Sequence, residues 1–206
     1  MPTQNCPKMR PGEMIAARQL VTIHGEPVSL PGDNQLVHLQ FRRFAGCPVC
    51  NLHLHSVIQR HADIQAAGMR EVVFFHSNAD ELLRHAADLP FAVIADPDKR
   101  LYAEFGVESS PRALLDWRVW LPIIRGVGRS LVGVIRKHAP TPDANPHGGR
   151  LGLPADFLIN NEGRVLACKY GEHAYDQWSV DELLRLAGQH APAQARQSLV
   201  AQSQVA

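Results

Sequence analysis

Two cysteines three positions apart, Cys47 and Cys50, are the residues of this chain best suited to chemistry. They open a segment with helical apolar spacing, and Pro48 between them fits the first turn of a helix. The unpaired N–H groups at a helix N-terminus favour an anion, so we expect Cys47 to ionise readily and to act as a nucleophile. Cys50 lies one turn along the helix, close enough to attack the sulfenic acid or mixed disulfide that forms at Cys47. The spacing therefore predicts a redox-active dithiol that closes to a Cys47–Cys50 disulfide.

Of three other interpretations of the cysteine pair, the sequence excludes one and leaves two open. Half of a zinc site is one, but the chain has no second C-x-x-C and no H-x-x-x-H, and His53 and His55 point to different sides of a helix. Covalent haem attachment needs a histidine at position 51, where this chain has Asn51. A pair of ordinary buried cysteines is the third. We expect no metal and no cofactor.

The segments around the dithiol alternate between strand and helix. Residues 36–43 alternate apolar and polar side chains, with Val37, Leu39 and Phe41 on one side, which predicts a strand with one face toward a core. Including that strand, the order up to Gly106 is β, α, β, α, β, α. Residues 155–159 and 164–170 then form a predicted antiparallel hairpin, followed by a helix from 179 to 188. This order predicts an α/β fold.

Pro154, directly before the predicted hairpin, adds a second signal. A proline at that place in a thioredoxin-like sheet is commonly cis and lies against the dithiol, while a trans proline that opens a strand is the alternative. Together with the strand order and the dithiol, Pro154 predicts a thioredoxin-like three-layer sandwich with a mixed central sheet and a helical insertion. Two more residues are candidates to support Cys47. Arg43 lies just upstream and adds positive potential, and His76 ends the second strand on the side where α/β sheets place their sites.

Residues 112–150 interrupt the alternation and form the predicted helical insertion. They hold seven Lys or Arg against two Asp, a local net charge of +5. An inserted helical hairpin that packs on the domain is the first interpretation, and a lid, a dimer face and a membrane-surface helix are the others. We expect residues 1–188 to form a single domain and residues 189–206 to form a flexible tail.

The composition excludes several classes of protein. The chain has 206 residues, which suits one domain, and 21 Lys or Arg against 20 Asp or Glu give a net charge of +1. That balance gives no reason to expect a nucleic-acid partner, and no apolar run is long enough to span a membrane. The N-terminal segment lacks the apolar core of a signal peptide, so we expect a cytoplasmic protein. Four cysteines are too few for a disulfide scaffold; we expect Cys6 to be idle and Cys168 to lie in the core.

Four segments carry a resemblance to a known family: FRRFAGCPVCNLHL (41–54), LPFAVIADP (89–97), LYAEFGV (101–107) and LPADFLI (153–159). In these segments the chain resembles the peroxiredoxin-like branch of the alkyl hydroperoxide reductase/thiol-specific antioxidant (AhpC/TSA) superfamily, with a match running over about residues 12–188. The resemblance implies a thioredoxin fold and cysteine-based redox or antioxidant chemistry.

The chain departs from that family at two places. Typical members have a threonine three residues before the reactive cysteine and a proline four residues before that, whereas this chain has Phe44 and Gln40. The arginine that usually supports the peroxide is missing from residues 154–156, and Arg43, Arg112 or Arg150 could substitute for it.

The sequence thus leads to one main hypothesis and two alternatives. The main hypothesis is a thiol oxidoreductase in which Cys47 attacks a small peroxide or a disulfide and Cys50 resolves the product. A dithiol donor such as a thioredoxin or glutathione system would reduce the pair again, and a homodimer is possible. A disulfide reductase without peroxidase activity is the first alternative. The second is a non-catalytic binding module that uses the basic insertion to engage a partner.

Overall fold

A computed structural model of the chain describes residues 7–32, 34–107, 149 and 152–190. Its central sheet contains β3 (Leu36–Arg42), β4 (Met69–Phe75), β5 (Ala92–Ala95), β6 (Ala155–Ile159) and β7 (Val165–Tyr170). The strand order is β5-β4-β3-β6-β7. The pairs β3–β4 and β4–β5 are parallel, whereas β6 pairs antiparallel with both β3 and β7. The sheet is therefore mixed, as predicted, and β3, which leads into the dithiol, is its central strand.

Helices cover both faces of this sheet. They are α1 (Pro48–Gln59), α2 (His61–Ala66), α3 (Ala79–Ala86), α4 (Arg100–Glu104) and α5 (Val180–His190). On one face, Leu54 of α1 and Leu82 of α3 pack in one apolar cluster with Val73 of β4, and α5 joins that face through a neighbouring cluster. On the other face, Tyr102 of α4 packs against Phe41 of β3. Burial of apolar surface on both sides of the sheet holds the three layers together.

The N-terminal part is more regular than the sequence predicts. The apolar run at residues 20–23 predicts one short strand in a proline-rich segment. In the structure, β1 (Arg18–Val21) pairs antiparallel with a second strand, β2 (Pro27–Leu30). The second strand is missed because Pro27 looks like a breaker, although a proline is tolerated as the first residue of a strand. Leu30 at the other end of β2 is buried in the core with Ile15.

A capping residue followed three positions later by Glu predicts a helix start, and the chain has this pattern at Asn78 and at Ser179. The structure confirms both starts. Asn78 Oδ1 accepts a hydrogen bond from Glu81 N at 2.8 Å before α3. Before α5, Ser179 N donates to Glu182 Oε2 at 2.8 Å, and Glu182 N donates to Ser179 Oγ at 3.2 Å, which is a complete capping box. α5 extends two residues beyond its predicted end at Gly188.

Some sequence expectations lie outside the described residues. These are the helical insertion 112–150 apart from Gly149, the tail from 191 onward, Cys6, Arg112 and Arg150. In the part of the chain that the structure describes, no helix is both long enough and apolar enough to cross a membrane.

Candidate active site

Cys47 lies where the central strand becomes a helix. β3 ends at Arg42, a short turn follows, and Cys47 is the N-cap residue of α1 with Pro48 in the first turn. Cys47 N donates to Phe44 O at 3.2 Å, and Ala45 N donates to Ser77 Oγ at 3.0 Å, so the turn is tied to the end of β4. No side chain caps this helix N-terminus. The first-turn N–H groups therefore point toward the cysteines, as the sequence predicts.

Both cysteines are reduced and buried in an apolar cluster. The exposed fraction is 1% for Cys47 and 0% for Cys50. Phe44, Val49 and Ala174 complete the cluster, and Tyr175 packs against it. The sequence analysis did not anticipate that a segment between β7 and α5 covers the dithiol.

The two thiols differ strongly in acidity. Burial opposes ionisation of Cys47, but the hydrogen bond from the Cys50 thiol, the charge of Arg43 and the N–H groups of Cys50 and Val49 outweigh it and lower its pKa to about 6. The same hydrogen bond, together with burial, raises the pKa of Cys50 well above its ordinary value. The pair therefore consists of one stabilised thiolate and one thiol that keeps its proton.

Arg43 is the predicted supporting residue that makes direct contact with Cys47. Its Nη1 donates to Cys47 Sγ at 3.6 Å, and only 3% of the residue is exposed. The guanidinium also lies over the Phe44 ring, 5.3 Å from its centroid. A buried cation at this distance stabilises a thiolate much more than one in water would.

His76 lies beside Arg43. His76 N donates to Arg43 O at 3.2 Å, and the buried ring packs edge-on against Tyr102, with 5.7 Å between centroids. A Cβ atom on Gly152 would lie 2.8 Å from His76 Nε2 and 3.7 Å from Arg43 Cγ. The absence of a side chain at Gly152 thus allows this close packing of His76.

Pro154 lies directly before β6, and its peptide bond is trans, which is one of the two forms that the sequence leaves open. Leu30–Pro31 is the one cis peptide bond among the described residues, so Leu153–Pro154 is trans, as in the alternative interpretation. Pro154 O accepts a hydrogen bond from Gly171 N at 2.9 Å. A Cβ atom on Gly171 would lie 2.7 Å from Pro154 Cγ, so Pro154 packs tightly on the start of the segment that covers the cysteines.

A buried polar cluster under α1 is the main feature that sequence reasoning missed. It consists of His38, Gln40 and Arg42 of β3, Glu71 of β4 and Asp156 of β6, all within 1% of complete burial. The alternation of residues 36–43 predicts only a half-buried strand, with its polar side chains on the exposed face. The signal that could have revealed the cluster is the place of β3 in a parallel α/β arrangement, where both faces of a central strand are covered.

Hydrogen bonds join this cluster into one network. Arg42 Nη2 donates to Asp156 Oδ1 at 2.7 Å, and the other carboxylate oxygen accepts from Trp178 N at 3.1 Å. His38 bridges Glu71 and Asp156, at 2.8 Å and 3.2 Å. Arg42 thus anchors the network rather than the thiolate.

The network fixes the charges of its members. Burial lowers the pKa of His38, but Glu71 and Asp156 outweigh it and raise that pKa to about 9. Burial raises the pKa of Asp156, but the charge of Arg42 and the hydrogen bond from His38 hold it far below its usual range. His53, on α1, has a pKa lowered to about 4 by burial and by the charge of Arg42. At neutral pH, His38 is therefore charged and His53 is neutral.

The residues considered as metal ligands in the sequence do not converge. Among the described residues, no group of three or more His, Cys, Asp and Glu side chains could hold a metal ion. His53 Nε2 pairs with Trp178 O at 2.9 Å. The half-buried Cys168 Sγ donates to Met9 O at 3.4 Å and packs against the core, in line with the expectation for that residue.

Solved structures with the same fold include peroxiredoxins and disulfide oxidoreductases. Peroxidoxin BcpB from Mycobacterium tuberculosis has a TM-score of 0.64 at 16% identity, over 89% of this chain and 99% of that one. A peroxiredoxin-like protein from Aquifex aeolicus has a TM-score of 0.60 at 15% identity, over 90% of each chain. A protein described as thiol:disulfide interchange protein DsbE, from Chlorobium tepidum, has a TM-score of 0.56 at 18% identity, over 87% of this chain and 99% of that one. These similarities confirm the thioredoxin-like fold.

A family model covers more than half of the sequence. The model of the AhpC/TSA antioxidant enzymes matches residues 56–173, which begin six positions after Cys50. No curated protein sequence matches the chain. The match confirms the resemblance drawn from the sequence segments. The chain belongs to the AhpC/TSA antioxidant enzyme family and is an oxidoreductase.

Proposed function

We propose that Cys47 is the nucleophile of a thiol peroxidase and that Cys50 resolves its oxidised form. The observation that carries the proposal is the contact between Arg43 Nη1 and Cys47 Sγ at 3.6 Å in a buried site at a helix N-terminus. With the pKa of Cys47 lowered to about 6, about nine-tenths of this thiol is ionised at pH 7. Cys50 keeps its proton and so does not compete as a nucleophile.

The reaction with a peroxide proceeds in two steps. The Cys47 thiolate attacks the terminal peroxide oxygen, the O–O bond breaks, and the departing alkoxide or hydroxide takes up a proton, which leaves Cys47 as a sulfenic acid. Cys50 then loses its proton and attacks the Cys47 sulfur, which releases the sulfenic oxygen as water and forms the disulfide. Two electrons pass from the dithiol to the peroxide. A cellular dithiol or thiol donor of the thioredoxin or glutathione type then reduces the pair.

The supporting residues have separate roles in this scheme. Arg43 stabilises the thiolate directly. His76 holds the backbone and stem of Arg43 in place through its N–H and its ring, on the side opened by Gly152. Pro154 supports the covering segment through Gly171. None of these roles requires a metal or an organic cofactor.

A second candidate function is disulfide exchange without peroxidase activity. Phe44, 5% exposed, occupies the position at which the resembling family has a threonine hydroxyl, and it packs directly against Cys47. In this case the thiolate attacks a substrate sulfur, the substrate S–S bond breaks, and Cys50 displaces the substrate from the mixed disulfide. The protein steps are the same, and only the attacked atom differs.

The decisive experiment counts thiols after oxidation. Reduced protein is mixed with hydrogen peroxide in one series and with a protein disulfide such as insulin in another. We expect one equivalent of oxidant to consume Cys47 and Cys50 together, and Cys47→Ser to abolish the fast loss. Cys168→Ser, at a cysteine outside the dithiol, is the matched control and should behave like wild type. Equal rates for Cys47→Ser and wild type would exclude Cys47 as the nucleophile, and a dithiol that resists both oxidants would favour the binding-module alternative.

A further inference from the structure

A polar cavity of about 410 Å3 lies beside the dithiol and has no role in the chemistry described so far. One wall is α1 with the following Arg60, and the other is the segment from Tyr175 to Ser179 with the first turn of α5. We call this cavity the α1–α5 groove; its walls are formed by His53, Ser56, Gln59, Arg60, Tyr175, Gln177, Ser179, Val180, Asp181 and Glu182. Its volume is in the range of sites that bind small molecules.

The groove reaches the cover of the dithiol. Tyr175 lines the groove and also packs against the apolar cluster that contains Cys47 and Cys50. His53 lines the groove one helical turn after Cys50, on the buried side of α1. A ligand in the groove is therefore separated from the cysteines by the Tyr175 side chain and its neighbours.

Two buried acceptors in the walls have no hydrogen-bond partner among the described residues. His53 Nε2 pairs with the carbonyl oxygen of Trp178 at 2.9 Å, so this nitrogen carries the proton and Nδ1 has a lone pair. Gln177 Nε2 donates to Ala174 O at 3.0 Å, which leaves Oε1 as an acceptor. His53 Nδ1 and Gln177 Oε1 are both buried and unpaired, on residues 5% and 7% exposed. Unpaired buried acceptors are costly, and N–H groups of a ligand would satisfy them.

The remaining wall groups carry both signs of charge. Arg60 pairs with Asp181 across the groove, with 2.6 Å between Nη1 and Oδ1. Ser56 and Gln59 on α1 add a hydroxyl and an amide, and Glu182 adds a second carboxylate. Such a surface matches a ligand with N–H donors, carbonyl acceptors and opposite terminal charges. A peptide has this chemistry, whereas an alkyl chain does not.

We propose that the α1–α5 groove binds the reductant of the dithiol, and that this reductant is a cysteine-containing peptide whose N–H groups pair with His53 and Gln177. The proposal rests on the proposed function, because it concerns the return of the Cys47–Cys50 disulfide to the dithiol. In this scheme the Tyr175 side chain moves aside so that the peptide sulfur reaches the disulfide. The peptide is either a free tripeptide thiol such as glutathione or the reactive loop of a protein dithiol such as thioredoxin.

The acidity of the cysteines sets the direction of the exchange. The more acidic thiol is the better leaving group, so the peptide thiolate attacks Cys50 Sγ and the S–S electron pair departs on Cys47 as a thiolate. A second thiol then attacks the peptide sulfur of the mixed disulfide, and Cys50 leaves and takes up a proton. Two thiols supply the two electrons and are released as one disulfide. Cys50 is also the cysteine nearer in sequence to His53, one turn along the same helix.

The test begins with protein oxidised by diamide, so that its outcome does not depend on peroxide activity. The rate of disulfide reduction is measured against the concentration of glutathione, of reduced thioredoxin and of dithiothreitol, which lacks a peptide. Ser56→Trp fills the groove, and Ala62→Trp, at an exposed position of α2 outside it, is the matched control. We expect the rate of disulfide reduction to saturate with one of the two peptide thiols. At low concentration of that thiol, the rate should fall by about tenfold in Ser56→Trp but not in Ala62→Trp. Rates with dithiothreitol should stay within about twofold.

Each outcome has a defined meaning. Saturation with glutathione, with competition by S-methylglutathione, identifies the tripeptide, and saturation with thioredoxin alone identifies the protein source. A second variant, Gln177→Leu, removes one unpaired acceptor and should weaken the same peptide thiol even if Ser56→Trp fails to fold. The proposal would be overturned if the rates rise linearly with the concentration of both peptide thiols. It would also be overturned if the groove variants lower the rate with dithiothreitol as much as the rate with the peptide thiol. Failure of the proposed function would give a different result: peroxide and disulfide substrates would leave the dithiol intact, while diamide would still oxidise it.

Discussion

Replacing Arg43 by methionine should move the ionisation of Cys47 by about two pKa units. Arg43 Nη1 lies 3.6 Å from Cys47 Sγ in a buried site. At about 4 Å and an effective dielectric constant of about 20, two full charges interact by about 4 kcal/mol, which corresponds to about 3 pKa units. The guanidinium charge is spread over three nitrogens, so its centre is more distant and the expected loss is about 2 units. Methionine keeps much of the apolar stem volume while removing the charge. The pKa of Cys47 should therefore rise from about 6 to about 8.

The assay for this prediction must cover a range of pH. In Arg43→Met about one tenth of Cys47 is ionised at pH 7, but each thiolate is about eightfold more reactive, since nucleophilicity rises with pKa at a slope of about 0.45. The two effects nearly cancel, and a single rate at pH 7 would show little change. Reactivity with a small disulfide and thiolate absorbance should instead be followed from about pH 4 to about pH 10. Below pH 6 the variant should be much slower, and above pH 8 it should be faster.

The control for that series is Arg100→Met, which removes an exposed arginine paired with Asp98 at 3.1 Å. Its Cys47 profile should coincide with that of wild type. A shift of less than about half a unit in Arg43→Met would refute the reasoning. The thiolate would then depend on the Cys50 thiol and the helix N-terminus, with Arg43 serving only as packing.

Three further predictions concern the resolving cysteine, a buried histidine and the turn. Cys50→Ala removes the hydrogen bond to Cys47, so the pKa of Cys47 should rise, and peroxide should leave a sulfenic acid that dimedone traps; a disulfide formed in this variant would contradict the assignment. Burial keeps the pKa of His53 at about 4 in the folded protein, so below about pH 6.5 the unfolded chain binds a proton that the folded chain does not. The free energy of unfolding, measured in urea, should therefore fall by up to about 3 kcal/mol as the pH is lowered from about 6.5 to about 4. His53→Gln should flatten that slope, and an unchanged slope would assign it to other groups. Gly46 has φ +72°, so Gly46→Ala should lower the free energy of unfolding by about 2 kcal/mol. Gly188 lies on the open side of α5, so Gly188→Ala should raise that free energy by up to about 1 kcal/mol. Equal effects of the two substitutions would show that φ at Gly46 does not matter.

Local sequence signals account for most of the fold. The alternation in β3, the capping residue Asn78 and the box formed by Ser179 and Glu182 each act within a few residues, and the structure has all of them. The same holds for the approach of Arg43 to Cys47, because one short turn joins them. Such features depend on backbone geometry over one turn, which the sequence specifies directly. The missed strand β2 shows the limit, since its partner β1 supplies the hydrogen bonds that make it a strand.

Two of the features that the sequence does not indicate depend on contacts between distant parts of the chain. Asp156 reaches Arg42 because β6 pairs with β3, and nothing near either residue in the chain indicates that contact. Tyr175 packs on the dithiol cluster because the chain returns from β7 across the end of the sheet. Of the two peptide geometries that the sequence leaves open before Pro154, the structure has the trans form.

The sequence by itself determined the local arrangement of the candidate site: a C-x-x-C pair at a strand-to-helix junction, with an arginine four residues upstream of the first cysteine. Spacing within a few residues is enough for that, because helix geometry places Cys50 one turn from Cys47 and a short turn joins Arg43 to Cys47. Only the tertiary structure decided how strongly the two thiols differ and what covers them. Those properties arise from burial and from charges brought together across the sheet, and the free energy of a charge depends on all the groups that replace its water.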